Sequence, residues 1–303
     1  MAITQILQTI GGLTRPLTER DLRGLSELRL IDRRDFLETW AKLPGERRLA
    51  LAREMVELTE EHVELDLSAA WTWLLDDLDP AVRVCAIEGL WENTETRTMR
   101  RFLAMMRGDH NEQVRAAAAV GLNRFAYMAS LDELDEGAEL LERELTTIAL
   151  DMQQPQEVRR RALESAGYFI ENDAVQAQIE RDFASDDQLL RESALVAMGH
   201  SILPRWLPQI NSALTSDSPA IRYEACRAAG EFAEGGRSLL AKLAPLLTDR
   251  DTEIALAAIW AVGQIGGGAA ERALQQVKSS EDEARSQAAT EALEELRLGE
   301  TML

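Results

Sequence analysis

Residues 187–199 read DQLLRESALVAMG, residues 218–230 read SPAIRYEACRAAG and residues 251–263 read DTEIALAAIWAVG. The three stretches align without a gap, with Asp or Ser first, an aliphatic anchor fourth, alanine eighth and glycine thirteenth. Counted from the anchor, small or apolar residues stand at 0, +4, +7 and +8, which is one face of an α-helix. A repeated amphipathic helix therefore decides the fold. Its anchors in these stretches are Leu190, Ile221 and Ile254.

The same pattern recurs along most of the chain. Its anchors lie at residues 82, 114, 158, 190, 221, 254 and 284, so neighbouring anchors are 30–33 residues apart except for the 44 residues between 114 and 158. A period near 32 has room for two helices of about 12 residues and two short turns. Each unit is therefore predicted to be a helix pair with the anchor on its second helix. The longer interval is predicted to contain about a dozen extra residues.

Helix-capping residues mark the start of several predicted second helices. A side-chain oxygen three residues before the anchor can accept a hydrogen bond from the first N–H groups of the helix. Two capping boxes are also predicted, Ser280 with Glu283 and Ser130 with Glu133. Glycines nine residues after four anchors either end the helix or let the next helix approach closely. The capping residues are Asp79, Asp187, Ser218 and Asp251, the first and third followed by proline.

Arginine follows the anchor in six of the seven units. Helix pairs with Asp or Ser, then Val-Arg or Ile-Arg, then alanine resemble HEAT repeats of the bacterial phycobilisome-lyase-like kind, an armadillo-type family. The resemblance covers about Ser68 to Arg297 and implies an all-α, right-handed α-solenoid of stacked antiparallel helix pairs. It also implies a structural arginine ladder through the turn aspartates, interrupted where Ala255 replaces arginine; an anion-binding row is the alternative. The ladder residues are Arg83, Arg115, Arg159, Arg191, Arg222 and Arg285.

The N-terminal part is less regular than the rest. Residues 33–43 and 46–61 have helical spacing, with Leu43-Pro44-Gly45 as a break between them. We interpret residues 1–66 as an irregular N-terminal cap with a degenerate repeat, because a terminal repeat must cover an otherwise exposed core face. Residues 67–303 are predicted to form about seven HEAT-like repeats, continuous with the cap as one solenoid.

Composition restricts the classes of partner. The chain has 303 residues, 33 Lys and Arg against 53 Asp and Glu, and a formal net charge of −20. Such a charge disfavours nucleic acid, which needs a basic surface. Two cysteines 141 residues apart exclude a disulfide framework and favour a cytoplasmic location. The uncharged stretch 254–270 has 17 residues and four glycines, so a membrane span is not expected.

Catalytic and metal-binding patterns are weak. The three histidines, His62, His110 and His200, are not part of a recognisable catalytic motif, and the sequence has no nucleophile elbow, phosphate loop or dinucleotide fingerprint. His200 is interpreted as a surface or cap residue. The acidic stripe at Glu57, Glu60, Glu61 and Glu64 beside His62 lacks the Glu-x-x-His spacing of helical di-metal sites. We therefore expect no catalytic residue, no metal and no cofactor, and we expect Cys85 and Cys226 to be buried thiols.

The predicted binding surface is the concave face, which second helices line in this architecture. Positions +2, +6 and +9 from the anchor leave the core face, and they hold several aromatic residues and arginines, the usual anchors of protein interfaces. The alternative is that Trp91 and Trp260 only fill gaps between repeats. A second candidate surface is the acidic run from Asp132 to Glu144, which also suits a helix N-terminus. The candidate partner-binding residues are Trp91, Asn123, Arg160, Tyr223, Arg227 and Trp260.

Three functions compete at this stage. The leading hypothesis is a non-catalytic scaffold or adaptor that binds a protein or peptide, with a basic segment as a candidate feature of that partner. The resemblance also permits a bilin-lyase-like enzyme or enzyme subunit. A HEAT-like DNA glycosylase shares only helix pairs with this chain, and the net charge of −20 argues against it. The repeat motif itself is structural and does not distinguish among these functions.

Overall fold

The protein is all-α, as the repeat pattern predicts. The computed structural model describes residues 3–13, 15–26, 28–62 and 64–301, and no strand occurs among them. Within these residues no helix has both the length and the apolar composition needed to cross a bilayer. The helices are α1 (Ile3–Gly11), α2 (Glu19–Leu22), α3 (Arg33–Trp40), α4 (Gly45–Glu61), α5 (Ser68–Leu74), α6 (Pro80–Glu88), α7 (Thr96–Gly108), α8 (Glu112–Gly121), α9 (Asn123–Ser130), α10 (Ala138–Leu150), α11 (Gln156–Ala166), α12 (Asp173–Phe183), α13 (Gln188–Ser201), α14 (Leu207–Ala213), α15 (Pro219–Glu231), α16 (Leu240–Leu243), α17 (Thr252–Ile265), α18 (Gly267–Lys278) and α19 (Glu283–Thr301).

The chain divides into two compact units, Met1–Ala162 and Leu163–Leu303. The division falls inside α11. In unit 1, α4 of the N-terminal part packs on α6, and Arg48 of α4 donates a hydrogen bond to Asp77 in the turn before α6. The N-terminal helices are thus part of the same packed core as the first regular repeats.

Unit 1 stacks its second helices in chain order. α4 packs on α6 and α6 packs on α8, while α5 and α7 pack against α6 and α8 as their first-helix partners. The anchors Val82 and Val114 are fully buried. In α4 the buried residues Leu51 and Met55 stand at +4 and +8 from Arg47, so Arg47 occupies the anchor position of the degenerate repeat. Its guanidinium donates a hydrogen bond to the carbonyl oxygen of Ile10 at 2.8 Å. This bond gives the polar group a partner at a position that is apolar in most other repeats.

Unit 2 repeats the same arrangement with greater regularity. α13 packs on α15, α15 on α17 and α17 on α19, and α12, α14 and α18 cover the outer sides of these second helices. The anchors Ile221 and Ile254 are buried, whereas Leu190 is half-buried. Three glycines at +9 lie against the next second helix, so they serve close approach and not helix termination. These are Gly199 against Ala228, Gly230 against Trp260 and Gly263 against Ala292.

The turns before the second helices share one hydrogen-bonding scheme. A side-chain oxygen five residues before the anchor accepts from the N–H two residues later, as Asp77 does from Asp79 and Asp249 from Asp251. The residue three before the anchor then caps the helix, as Asp251 does by accepting from the N–H of Glu253. Ser218 is the exception among the predicted caps, because its side chain makes no cap hydrogen bond and Pro219 alone sets the helix start.

The last repeat corrects the sequence register. Ala284, predicted as its anchor, is exposed, and the buried residues Ala289, Ala292 and Leu293 stand at +4, +7 and +8 from Arg285. Arg285 therefore occupies the anchor position. The cap follows the same shift, since Asp282 accepts from the N–H of Arg285 and Ser280 accepts from the N–H of Asp282. The predicted Ser280–Glu283 capping box is wrong because Glu283 is already the first residue of α19.

The long interval in unit 1 is filled by an additional helix. α9 follows α8 after Leu122, and its residues Phe125 and Ala126 are buried. The predicted Ser130–Glu133 capping box is wrong, because Ser130 ends α9 and donates to the carbonyl oxygen of Tyr127. α10 begins instead after Gly137, whose φ of 95° is a left-handed conformation that glycine adopts without strain.

Candidate functional site

Two arginines tie neighbouring repeats together in the way the resemblance implies. Arg83 donates through Nη2 and Nε to the carboxylate of Asp109 at 2.7 and 2.9 Å, and through Nη1 to the carbonyl oxygen of Asp77 at 2.8 Å. In unit 2, Arg222 donates to Asp249 at 3.2 Å and to the carbonyl oxygen of Ser216 at 2.9 Å. Each guanidinium therefore links the turn of its own repeat to the turn of the next.

A third link of this kind was missed by the sequence analysis. Arg48 donates to both carboxylate oxygens of Asp77 at 3.0 and 3.1 Å, and the same carboxylate accepts from Trp40 Nε1 at 2.7 Å. The Asp77 side chain is buried, so its charge depends on these donors. Arg48 does not match the repeat pattern in the sequence, because the residue before it is Arg47 and most other repeats have an aliphatic anchor there.

The other proposed ladder arginines have different contacts. Arg115 donates to the carbonyl oxygen of Met106 and contacts the side-chain oxygen of Gln154. Arg285, at an anchor position, donates to the carbonyl oxygen of Asp249 at 2.7 Å. The repeats of Arg159 and Arg191 are followed by turns that begin with a serine, Ser185 and Ser216 respectively. A serine carries no charge, so it cannot form the ion pair that Asp109 and Asp249 form. Fully buried Ala255 interrupts the series at the sixth unit.

Two adjoining pockets lie on the second helices of unit 2. One pocket of about 250 Å³ lies between α13 and α15 and is lined by His200, Tyr223 and Arg227 among others. The other, of about 300 Å³, lies between α15 and α17 and is lined by Tyr223, Arg227 and Trp260 among others. The two pockets share Tyr223 and Arg227 of α15, the helix between them, and we call the two pockets together the α15 groove.

Trp260 is held in this groove from two sides. A Cβ atom added to Gly230 would lie 2.3 Å from Cζ3 of Trp260, so the indole occupies the space that glycine leaves open. The exposed guanidinium of Arg227 lies 5.1 Å from the centre of the same ring, within range of a cation–π interaction. Trp260 thus fills a gap between repeats, as the alternative hypothesis states, and also lines the α15 groove.

His200 forms the other end of the groove. Its ring stacks on Tyr168 with a centroid distance of 4.4 Å, and its Nδ1 donates to the carbonyl oxygen of Glu164 at 2.8 Å. Burial lowers the pKa of His200, and the backbone contact and nearby carboxylates oppose that shift only in part. His200 is therefore neutral at pH 7 and half-buried, a packed part of the groove wall.

The rim of the α15 groove is acidic. Glu224 and Glu231 line the pocket between α13 and α15, and Glu253 lines the pocket between α15 and α17. Arg227 is the one lysine or arginine among the described residues that line these pockets, so the lining carries three carboxylates and one guanidinium. An acidic rim around aromatic and apolar walls favours a ligand with basic and apolar side chains.

The structure separates the six candidate binding residues. Tyr223, Arg227 and Trp260 lie together in unit 2, whereas the other three belong to unit 1. There, Trp91 is 55% exposed, Asn123 is the half-buried first residue of α9, and Arg160 is 8% exposed with its Nε 2.5 Å from Glu157. Because Arg160 is buried and ion-paired, we leave it out of the binding surface.

Residues ten positions after the anchor also line the groove, although the repeat pattern predicted position +9 instead. His200 and Glu231 stand ten residues after Leu190 and Ile221, and both line the pocket between α13 and α15. Position +9 is occupied by the glycines that touch the next helix. With 3.6 residues per turn, positions +2, +6 and +10 lie on one face of the helix. Position +9 packs against the next helix and is not part of that face. The regular glycine at +9 was the signal that could have shown this.

Other reactive groups in the described residues have little nucleophilic character. Burial raises the pKa of the Cys226 thiol to about 12 and that of Cys85 to about 11, so both are protonated at neutral pH.

Glu19, His62 and Glu64 place one ligand atom each within 4.8 Å of one another. His62 and Glu64 belong to the acidic segment already considered, and no further feature of that segment indicates a metal.

Comparison with known proteins identifies the repeats. Residues 207–294 match the family model described as HEAT repeats, and no curated protein sequence matches the chain. Among solved structures, the protein is similar to a chain of the Kap95:Nup1 complex, with 13% identity and a TM-score of 0.50. The match covers 97% of this chain and 46% of that chain. It is also similar to E. coli YibA, with 16% identity and a TM-score of 0.42; that match covers 84% of this chain and 98% of YibA. For human deoxyhypusine hydroxylase the identity is 14% and the TM-score 0.38, and the match covers 98% of this chain and 97% of the hydroxylase. The expectation of HEAT repeats in an α-solenoid is confirmed, and such identities show the fold alone.

Proposed function

We propose that this HEAT-repeat protein is a non-catalytic scaffold that binds a protein segment in the α15 groove. The observation that carries the proposal is the pair of adjoining pockets that share Tyr223 and Arg227 and are walled by Trp260. Aromatic residues and arginine at the centre of a groove are the typical anchors of protein interfaces. The similarity to a chain of the Kap95:Nup1 complex, an assembly of two proteins, agrees with this class of function.

The chemistry of the rim suggests the kind of segment. The lining of the two pockets contains Glu224, Glu231 and Glu253 but a single arginine, and the whole chain carries a formal charge of −20. Approach of a basic segment is favoured by this charge and that of an acidic segment is opposed. The apolar walls then accept one or two bulky side chains. The proposed partner is therefore a protein segment that combines lysine or arginine with apolar residues.

A selection of random 12-residue peptides on the whole chain tests the proposal. Enriched peptides should be basic, and each of Tyr223→Ala and Trp260→Ala should weaken their binding about 30-fold, the effect of an interface anchor worth about 2 kcal/mol. Gln275→Ala, on the exposed side of α18, is the matched control and should bind normally. Equal binding by all variants would move the site elsewhere, for which residues 132–144 are the second candidate. Failure to enrich any peptide would count against a scaffold.

The enzymatic alternative has a separate test. Incubation of the protein with a linear tetrapyrrole and an acceptor protein should leave the acceptor colourless if the chain is not a lyase. A coloured covalent adduct that depends on this protein would overturn the non-catalytic proposal. This experiment does not depend on the α15 groove, so it can contradict the absence of catalysis without contradicting binding.

A further inference from the structure

Two neighbouring aliphatic side chains of unit 1 lie almost entirely in solvent. Leu30 is 80% exposed and Ile31 is 79% exposed. They are the first two residues of a 3₁₀ turn, Leu30–Asp32, in which the N–H of Asp32 donates to the carbonyl oxygen of Arg29 at 2.8 Å. The Asp32 carboxylate in turn accepts from the N–H of Arg29 at 2.9 Å. A hydrogen-bonded turn therefore presents both side chains, and no described residue of their own chain covers them.

Exposed arginines flank this aliphatic pair on both sides. Arg29 precedes it, and Arg33 and Arg34 follow it. The Arg29 and Arg34 side chains are 80% and 82% exposed, and their contacts with carboxylates of their own chain are 3.5–4.0 Å long. Ion pairs of this kind on an open surface contribute little and are easily exchanged for others. We call residues 28–34 the Leu30 segment. Contiguous apolar residues at a surface mark an interaction site, whereas single ones do not.

The α15 groove is complementary to the Leu30 segment. Its two adjoining pockets, of about 250 and 300 Å³, have apolar and aromatic walls, so there is one pocket for each aliphatic side chain. Glu231 lines the first pocket and Glu253 the second, and both are exposed. Neither glutamate forms an ion pair within the part of the chain that the structure describes. Unit 2 as a whole contains 12 Lys and Arg against 23 Asp and Glu, so its charge attracts a segment flanked by arginines.

We propose that the α15 groove of one molecule binds the Leu30 segment of a second copy of this chain. Leu30 and Ile31 enter the two pockets, and the arginines on either side of them approach the exposed glutamates of the rim. The inference rests on the proposed function, because it names the protein segment that the groove binds.

The contact between two copies is head-to-tail, because the Leu30 segment and the α15 groove are different surfaces. Each copy can give one segment and accept another, and such a contact builds either a closed ring or an open chain. Self-association should therefore increase with protein concentration. It should weaken as the salt concentration rises, because charged groups contribute to the contact.

Sedimentation velocity of the whole chain from about 1 to 200 μM measures the association. Leu30→Ser combined with Ile31→Ser should lower the association constant about 30-fold or more, the effect of losing an interface anchor. Glu231→Lys combined with Glu253→Lys should also lower it, because the new lysines repel the arginines while the groove walls stay in place. Leu78→Ser is the matched control. Leu78 is 89% exposed in the same unit, and this variant should associate like the unaltered protein.

A mixture of the two double variants identifies the surfaces in contact. The variant with serines at 30 and 31 keeps an intact groove, and the variant with lysines at 231 and 253 keeps an intact segment. Each should be monomeric alone. An equimolar mixture should form a 1:1 dimer and nothing larger, because only one productive contact is possible. A peptide of residues 28–36 should compete with this dimer.

Three results would overturn the inference. An unaltered chain that stays monomeric up to about 200 μM would show that copies do not bind one another. Full association by the serine variant would place the contact elsewhere on the molecule. A mixture that forms no dimer would exclude the α15 groove as the acceptor.

The proposed function fails on a different result. If selected peptides still bind at Tyr223 and Trp260 while the chain remains monomeric, the groove binds another protein and only the self-association is wrong. If neither selected peptides nor the peptide of residues 28–36 bind there, both proposals are wrong.

Discussion

Arg222 pairs with Asp249 because two residue choices coincide in neighbouring repeats. The arginine follows an anchor, and the next turn begins with a carboxylate and not with serine. Where the following turn begins with Ser185 or Ser216, the residue at that position carries no charge and cannot form this ion pair. The identity of one turn residue thus decides whether an arginine links two repeats by an ion pair.

Removal of Arg222 should therefore cost more stability than removal of Arg191. Arg222→Ala leaves the buried part of the Asp249 carboxylate with fewer donors, and we expect a loss of about 1–3 kcal/mol in the free energy of unfolding. Arg191→Ala, the matched control, should lose about 0.5 kcal/mol or less. Urea denaturation of both variants measures the difference. Equal losses would show that the Arg222 ion pair adds nothing beyond packing of the side chain.

The ion pairs also predict how stability depends on pH. Burial acts to raise the pKa of Asp109, but hydrogen bonds from Arg83 and from the N–H of Asn111 outweigh it and lower the pKa. The pKa of Asp249 is lowered in the same way against its burial, by the N–H of Asp251 and by Arg222. Lowered values in the folded state mean that the stabilisation is complete above the unfolded pKa of about 3.9 and is lost as the pH falls through the folded values.

The double variant Asp109→Asn and Asp249→Asn tests this dependence. Asparagine keeps the side-chain oxygen that accepts the turn N–H but removes the charge. At pH 7 the variant should be less stable than the unaltered protein, and below about pH 4 the difference should shrink as the native carboxylates become protonated. Urea midpoints measured from pH 7 to pH 2.5 give the comparison. A constant difference across this range would contradict a role for the charges.

At the scale of the helix, the second helices follow the sequence more closely than the first helices do. Second helices begin at a capping turn and bury a regular face, so local signals and packing agree. In unit 2, the stretch that precedes the second helix α17 is not one continuous first helix but is split into 3₁₀ turns and the short α16. Pro245 lies within it, and proline cannot donate the hydrogen bond that a continuous helix needs.

Gly230 in α15 provides a test at this scale. Gly230→Ala would place a Cβ atom 2.3 Å from the Trp260 ring, so the indole must move. We expect a loss of about 1–3 kcal/mol in stability and a shifted Trp260 indole resonance. Gly108→Ala at the end of α7 is the control, because nothing lies within 4 Å of the added Cβ, and it should be neutral or stabilising by about 0.4–1 kcal/mol. A neutral Gly230→Ala would show that α15 and α17 can separate freely.

At the scale of the whole molecule, packing between second helices runs from neighbour to neighbour within each unit. In such repeat proteins stability is the sum of repeats and of the interfaces between neighbours. Ala225, fully buried in α15, is a position at which damage should remain local.

Enlarging Ala225 should therefore disturb unit 2 more than unit 1. Ala225→Leu overpacks the core at α15 and should cost about 1–3 kcal/mol. Hydrogen exchange should accelerate in α13, α15 and α17 and remain close to normal in α6 and α8. Mass spectrometry of the peptides from each helix measures this. Equal acceleration in all of these helices would mean that the chain unfolds as one cooperative body.

The sequence by itself determined the helix-pair repeat, the capping turns and most of the buried face, because these depend on residues close together in the chain. Val82, Val114, Ile221 and Ile254 are buried as the periodicity predicts. The shift from Ala284 to Arg285 and the role of Arg47 were not predicted, because the carbonyl oxygens that accept from these arginines belong to residues far away in the sequence. These are Asp249 for Arg285 and Ile10 for Arg47.

Only the tertiary structure decided which side chains from different helices line the same pocket. Tyr223 and Trp260 are 37 residues apart, and they line one pocket because Gly230 lets α17 approach α15. Trp71 and Trp91 meet at a pocket because the residues before α5 and after α6 converge there. Periodicity assigns a residue to a face of its own helix, but the distance between helices depends on side-chain volumes at their contact, which no single repeat contains.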